Sequence, residues 1–146
     1  MHTGDCVPIG LVSSAGAVAV VHAGWKGLEA GVIEAAVHDL RSLHDNVAQT
    51  VTAVVGPHVH AASYEFGAND LARLSSRFGD HVAATTATGT PALDLTAAVT
   101  HELDRLDTRL AMVSPDCTAE QAHAYWSHRA RKEAGRIALV AWLRRS

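Results

Sequence analysis

Two short apolar runs, Val7–Val12 and Ala17–Val21, are separated only by Ser13-Ser14-Ala15-Gly16. Each has strand length and is rich in β-branched residues, and the Ser/Gly segment between them is turn-forming. Pro8, Ser13, Ser14 and the intervening glycines prevent the pair from acting as one apolar span of the roughly 20 residues a bilayer requires. These residues therefore predict buried strands in a layered fold, the second ending at His22.

The pattern then changes period. Leu28, Val32, Ile33, Ala36, Val37, Leu40 and Leu43 recur at helical spacing, with Glu29, Glu34, Asp39 and Arg41 on other faces. This predicts one long helix after a tight connection at Gly24–Gly27. Val51–Val55 reads as a further buried strand stopped by Gly56-Pro57, and Leu71, Leu74 and Phe78 mark a shorter helix ending at Gly79. Asp94 is placed to cap a helix carrying Leu95, Ala98, Val99, Leu103 and Leu106. Leu110–Val113 reads as a strand. Thr118 and Gln121 have capping-box spacing for a short helix, and Ile137–Leu143 reads as a closing apolar strand. Strands interleaved with helices predict an α+β fold, a layered mixed sheet with flanking helices, in one domain over residues 1–146.

At 146 residues the chain can bury a core of its own, and 48% apolar with 18% charged residues is a globular profile. Twelve Lys and Arg against fifteen Asp and Glu give a formal charge of −3, so bulk charge points to neither nucleic acid nor membrane as partner. The N-terminus lacks the basic and cleavage pattern of a secretory signal, so a cytoplasmic location is expected. Basic residues nevertheless crowd the C-terminal end at Arg129, Arg131, Lys132, Arg136, Arg144 and Arg145, where an anion could bind. The two cysteines, Cys6 and Cys117, read as thiols in a reducing compartment. Ten histidines favour a metal or proton-transfer site.

Cys6 lies just before the first strand and His22 at the end of the next. If the strands are neighbours, thiolate and imidazole converge at one sheet edge as two zinc ligands. By spacing alone, a buried structural cysteine explains Cys6 as well. The residues around them narrow the choice. Gly4-Asp5-Cys6-Val7-Pro8 and His22-Ala23-Gly24-Trp25-Lys26-Gly27 resemble the YfiH-like family, long labelled multicopper polyphenol oxidoreductase or laccase-domain proteins. The resemblance continues in family order at Gly56-Pro57, Tyr64-Glu65-Phe66-Gly67, Leu93-Asp94-Leu95, Asp116-Cys117-Thr118, Tyr125-Trp126-Ser127-His128-Arg129 and Gly135-Arg136.

That resemblance implies a layered sandwich fold shared with a cysteine-dependent deamidating toxin. It also implies a zinc site of His, Cys and His acting on purine nucleosides, by phosphorolysis and by adenosine deamination. Cys6 and His22 would be two of the ligands. The remaining ligand is a His in a Gln-x-His-Gly segment upstream of the first matching block, so the chain is expected to lack the family's N-terminal portion, through a shortened or misplaced start. His2 is a frayed substitute.

Asp5 is a candidate proton shuttle or ligand-orienting group, or else a turn or cap residue. Lys26, at the start of the helix, and Arg129, Arg131 and Arg136 are candidates for phosphate and substrate binding, with Arg129 closest to the chemistry. For any single one of these arginines a solvated face is the commoner role. Arg131 falls where the family's Arg-Arg-Asp-Gly wording becomes Arg-Ala-Arg-Lys-Glu-Ala. Trp25 is expected in the core, Cys117 as a small buried residue, and Tyr64 and Glu65 either in a pocket or in a structural corner. His58-Val59-His60 has chelating spacing but reads as an exposed loop.

Three other functions fit the residues less well. Copper-dependent phenol oxidation needs several His-x-His pairs, and this chain has one. A Cys6–His22 hydrolase, including a peptidoglycan-precursor editing enzyme, would need no metal. An inactive remnant would turn nothing over.

Overall fold

The computed structural model describes residues 1–43 and 49–144. Arg145 of the C-terminal basic group lies outside the described residues. The centre is a four-stranded mixed sheet built from β2 (Val7–Ser13), β3 (Ala17–Ala23), β4 (Val51–Val55) and β7 (Thr108–Val113), in the order β3-β2-β4-β7. The two opening runs form an antiparallel hairpin with Val7 opposite Ala23 and Ser13 opposite Ala17. β4 lies antiparallel on the other side of β2, and β7 runs parallel to β4 with a bulge after Ala53.

Alternation sorts each strand into two faces. Ile9, Leu11, Val21, Ala53 and Val55 point inward and are buried. Against them pack Ile33, Val37 and Leu40 of α2 (Val32–Ser42), Leu71, Leu74 and Phe78 of α3 (Ala68–Phe78), and Leu95, Val99 and Leu103 of α4 (Leu95–Arg105), all in one apolar cluster. Asp94 caps α4, its carboxylate accepting from Ala97 N at 2.9 Å. Two ribbons flank the sheet: β1 (His2–Thr3) with β8 (Ile137–Ala138), and β5 (Ala83–Thr85) with β6 (Pro91–Leu93). The layered α+β class read from the sequence is the one observed. Among the described residues no helix is long and apolar enough to cross a membrane.

Four local expectations are corrected. The long helix is two, α1 (Trp25–Glu29) and α2, because Gly31 takes a left-handed conformation, φ 80°, between them. The expected Gly24–Gly27 connection is thereby the first turn of α1. No helix begins at Thr118, whose hydroxyl donates to Asp5 at 2.8 Å instead of capping its own chain. The closing strand is only Ile137–Ala138, paired with β1, and its apolar continuation is exposed.

His58 is not in an exposed loop. It is fully buried, with Nδ1 2.9 Å from Gly56 O and Nε2 2.8 Å from the Thr96 hydroxyl. Both ring nitrogens are thus engaged, and the pair with His60, whose ring sits edge-on at 5.2 Å, does not chelate. Burial holds the His58 pKa below its ordinary value.

Candidate functional site

In the β2–β3 hairpin, His22 stands opposite Pro8. Its neighbours Val21 and Ala23 are buried inward, so His22 projects from the outer face. Cys6 precedes inward-facing Val7 and by the same alternation lies on the outer side, across from Gly24. A Cβ on Gly24 would come within 2.8 Å of the Cys6 sulfur, so only glycine lets the thiol sit there. Cys6 and His22 line one cleft of about 360 Å³, together with Gly4, Asp5, Tyr64, His128, Arg129, Lys132 and Arg136.

Asp5 is the knot behind this cleft. One carboxylate oxygen accepts from the Thr118 hydroxyl at 2.8 Å and the Ser127 hydroxyl at 2.7 Å, and the other accepts from Arg129 N at 2.6 Å. Its own carbonyl accepts from Val59 N at 3.0 Å. One side chain therefore ties the residue before Cys6 to the segment that delivers Arg129. Ser127 also caps α5 (His128–Arg131), accepting from Ala130 N at 3.1 Å.

Burial, and then the Asp5 carboxylate, raise the Cys6 thiol pKa. A free Cys6 is therefore held protonated, and a nearby cation would reverse that preference. Among the described residues no hydrogen bond joins Cys6 to His22, so the pair lacks the contact that activates a Cys nucleophile. The Tyr64 hydroxyl is pushed up to about 12, chiefly by burial and by Cys6.

The candidate cations separate clearly. Arg129 lines the cleft, its guanidinium 4.8 Å over the Tyr64 ring and hydrogen-bonded to the Glu65 carbonyl. Arg136 lines it too, anchored on the carbonyls of Glu133 and Gly135 at 2.9 and 2.7 Å. Arg131 points elsewhere. It binds Glu133 at 3.0 Å and the carbonyls of Ala119 and Tyr125 at 2.8 and 2.7 Å, and so holds turns together. Lys26 sits 5.3 Å over the Trp25 ring and does not line the cleft. Trp25 is half-buried, edge-on to Phe66. Cys117 is buried, accepting from His60 N.

Two lining residues escaped assignment from sequence. His128 lay inside a matching block without a stated role. Lys132 was counted only in the basic cluster, yet it adopts φ 57°, an uncommon conformation for a non-glycine residue, at the cleft rim.

Cys and His suit zinc by donor chemistry, and a catalytic zinc takes three protein ligands and a water. Among the described residues no group of three His, Cys, Asp or Glu is placed to hold a metal ion. A larger groove of about 630 Å³ beside α4 is lined by His81, His101 and Asp94, but it contains neither Cys6 nor His22.

A family model described as multi-copper polyphenol oxidoreductase laccase matches residues 1–144. Over 142 residues the chain is 39% identical to a Streptomyces coelicolor protein named purine nucleoside phosphorylase, a match covering 97% of this chain and 57% of that protein. A Mycobacterium tuberculosis protein of the same name is 34% identical over 143 residues, with 97% of this chain and 56% of that protein covered. The crystal structure of the hypothetical protein YfiH from Bacillus licheniformis superposes with a TM-score of 0.78 at 25% identity, over 92% of this chain and 53% of that one. The chain thus spans somewhat more than half the length of these relatives.

Proposed function

This chain belongs to the family described as multi-copper polyphenol oxidoreductase laccase, and on that premise we propose that its cleft serves phosphorolysis of purine nucleosides. Adenosine, inosine and methylthioadenosine are the substrates, and deamination of adenosine is a second activity. The observation that carries this reading is the placement of Cys6 and His22 on the same outer side of adjacent strands, in one cleft rimmed by Arg129, Lys132 and Arg136. Relatives named purine nucleoside phosphorylase support it.

Cys6 and His22 would hold zinc with a third ligand that the described residues do not supply. When bound, that ion makes a hydroxide available near neutral pH and withdraws charge from the reacting purine. The chain's own residues do the positioning. Arg129 and Arg136 present guanidinium groups suited to two phosphate oxygens each, and Lys132 adds a point charge. A phosphate oxygen so held bonds to C1′ of the ribose as the bond to the purine nitrogen breaks, and the base leaves with that electron pair. Tyr64, kept protonated by burial, can donate a hydrogen bond into the cleft. Asp5, with both oxygens engaged by donors, orients rather than shuttles. Copper oxidation of phenols fits less well, since His58 of the lone His-x-His pair is buried with both ring nitrogens engaged. A cytoplasmic location goes with this reading, because free nucleosides and phosphate are found there.

The test combines metal analysis with a coupled assay for hypoxanthine and ribose 1-phosphate from inosine. Product that depends on phosphate, with zinc and activity both lost in Cys6→Ala and His22→Ala, is the expected result. Zinc-loaded protein that releases no base at any phosphate concentration would overturn it, as would undiminished activity in metal-free Cys6→Ala.

A further inference from the structure

Arg129 belongs to two cavities at once. Besides the Cys6 cleft, it lines a second space of about 500 Å³ with Ser63, Glu65, Phe66, Gly67 and Ala130. The two spaces therefore adjoin across one side chain. The first holds the thiol, the imidazole and the cations, but the acid that lines it, Asp5, has both carboxylate oxygens taken by donors. The second is lined by an acid that is not so engaged.

Glu65 combines a fixed backbone with a free head group. Phe66 N donates to Pro91 O at 2.9 Å and Leu93 N donates to Tyr64 O at 3.3 Å, so Glu65 pairs with Ala92 in a short antiparallel bridge against β6. Phe66 is buried, its ring tilted against Tyr64 at 5.6 Å and edge-on to Trp25 at 5.5 Å. Arg129 is bonded to the Glu65 carbonyl and not to its carboxylate. Among the described residues that carboxylate has no ion-pair or hydrogen-bond partner, and the residue is exposed. The Ser63 hydroxyl in the same cavity is already given to Glu120 at 2.9 Å.

Phosphorolysis sets a spatial requirement. The attacking phosphate oxygen and C1′ of the ribose must touch, so phosphate and sugar occupy adjoining spaces, with the group that binds phosphate at their boundary. Arg129 stands at such a boundary. Sugar hydroxyls are donors, and an ionised carboxylate accepts from them, as the acid of dinucleotide sites does from a ribose 2′-hydroxyl. A hydrogen bond to the hydroxyl beside the reacting carbon also strengthens as positive charge builds on the sugar ring.

We infer that the cavity beside Arg129 is the sugar subsite and that Glu65 determines its specificity, the carboxylate accepting from the ribose 2′-hydroxyl. The inference rests on the nucleoside reading above and narrows it: the substrates are ribonucleosides, and 2′-deoxyribonucleosides are selected against. Arg129 then meets phosphate on the Cys6 side and sugar on the Glu65 side. The Glu65 carbonyl that holds its guanidinium ties the two subsites together.

The experiment compares inosine with 2′-deoxyinosine in the wild-type chain, Glu65→Ala and Glu65→Gln. Affinity is read by isothermal titration calorimetry in phosphate-free buffer, and kcat/KM by phosphate-dependent release of hypoxanthine. The wild type should favour inosine over 2′-deoxyinosine by at least ~10-fold more than Glu65→Ala does. Glu65→Gln, which keeps an acceptor without the charge, should fall between them, with KM for phosphate unmoved in both variants. Any difference in lability between the two sugars is the same in each protein, so the change in ratio isolates the residue. An equal ratio in wild type and Glu65→Ala overturns the inference, and continued cleavage of inosine would then leave the nucleoside reading standing. A folded chain that cleaves neither nucleoside but binds inosine by preference through Glu65 supports the subsite and removes the reaction. A folded chain that neither binds nor cleaves either one overturns both. Gly67→Leu is the second variant. Its φ of −65° and ψ of 133° suit any residue, and a Cβ there meets no atom within 4 Å, so the added side chain takes up space in the cavity. It should weaken both nucleosides, and undiminished affinity at unchanged circular dichroism would place the sugar elsewhere and overturn the inference.

Discussion

The Asp5 carboxylate accepts a 2.7 Å hydrogen bond from the hydroxyl of Ser127, 122 residues away in sequence, and the same hydroxyl caps the helix that begins at His128. With Thr118 and Arg129 N on the same carboxylate, the position of Arg129 relative to Cys6 is set through Asp5.

Asp5→Ala should therefore lower unfolding free energy by about 2–3 kcal/mol, since it strands three donors of a charged acceptor, two of them buried hydroxyls. Ser127→Ala should cost about 1 kcal/mol. Urea midpoints of the two variants check the order, and a smaller loss in Asp5→Ala than in Ser127→Ala would refute the knot.

Arg131 and Arg129 should separate by phenotype. Arg131→Ala removes bonds to three carbonyls and Glu133 from a side chain only 25% exposed, and should cost about 1.5–3 kcal/mol with KM for phosphate unchanged. Arg129→Ala and Arg136→Ala should raise KM for phosphate with smaller stability losses. Steady-state kinetics beside thermal melts decide, and a phosphate effect confined to Arg131→Ala would reverse the assignment.

Gly24→Ala should disturb the cleft more than Gly10→Ala. The first would press a methyl to 2.8 Å from the Cys6 sulfur, whereas the second meets nothing closer than Val54 O at 4.0 Å. The expected cost is about 1–3 kcal/mol at Gly24, with reduced zinc content, and near-wild-type metal content at Gly10. Metal analysis of both variants is the check.

His58 gives stability a pH dependence of known sign. Burial lowers its pKa in the folded state below the ordinary 6.5, so between those two values the unfolded chain binds more protons than the folded one. Its contribution is fully present above about pH 6.5, falls as pH drops through that value, and levels off below the folded pKa. Denaturation curves from pH 7.5 to 5 should show this loss, and His58→Gln should flatten it. An unchanged slope in the variant would remove His58 as its source.

Much of the site was legible from local wording. The hairpin followed from two apolar runs and a Ser/Gly turn, and alternation alone puts His22 opposite in facing to Val21. The cap at Asp94 and the stop at Gly79 were equally local. What failed was competition between distant groups. Thr118 has the spacing of a cap, but its hydroxyl is claimed by Asp5, 113 residues earlier. His58 has the spacing of a chelate, but Gly56 and Thr96 take both ring nitrogens.

The sequence by itself determined which strands alternate, where the thiol of Cys6 and the imidazole of His22 stand relative to them, and that the two would meet if the two runs paired. Only tertiary structure decided that Arg129 and Arg136 reach the cleft while Arg131 and Lys26 do not, and that Val12, Val20, Val54 and Met112 stay exposed on one side of the sheet. Strand alternation is a property of neighbouring residues along the chain. The direction of a long cationic side chain, by contrast, is set by whichever carbonyls and carboxylates the fold brings within 3 Å of it, and no local pattern encodes those.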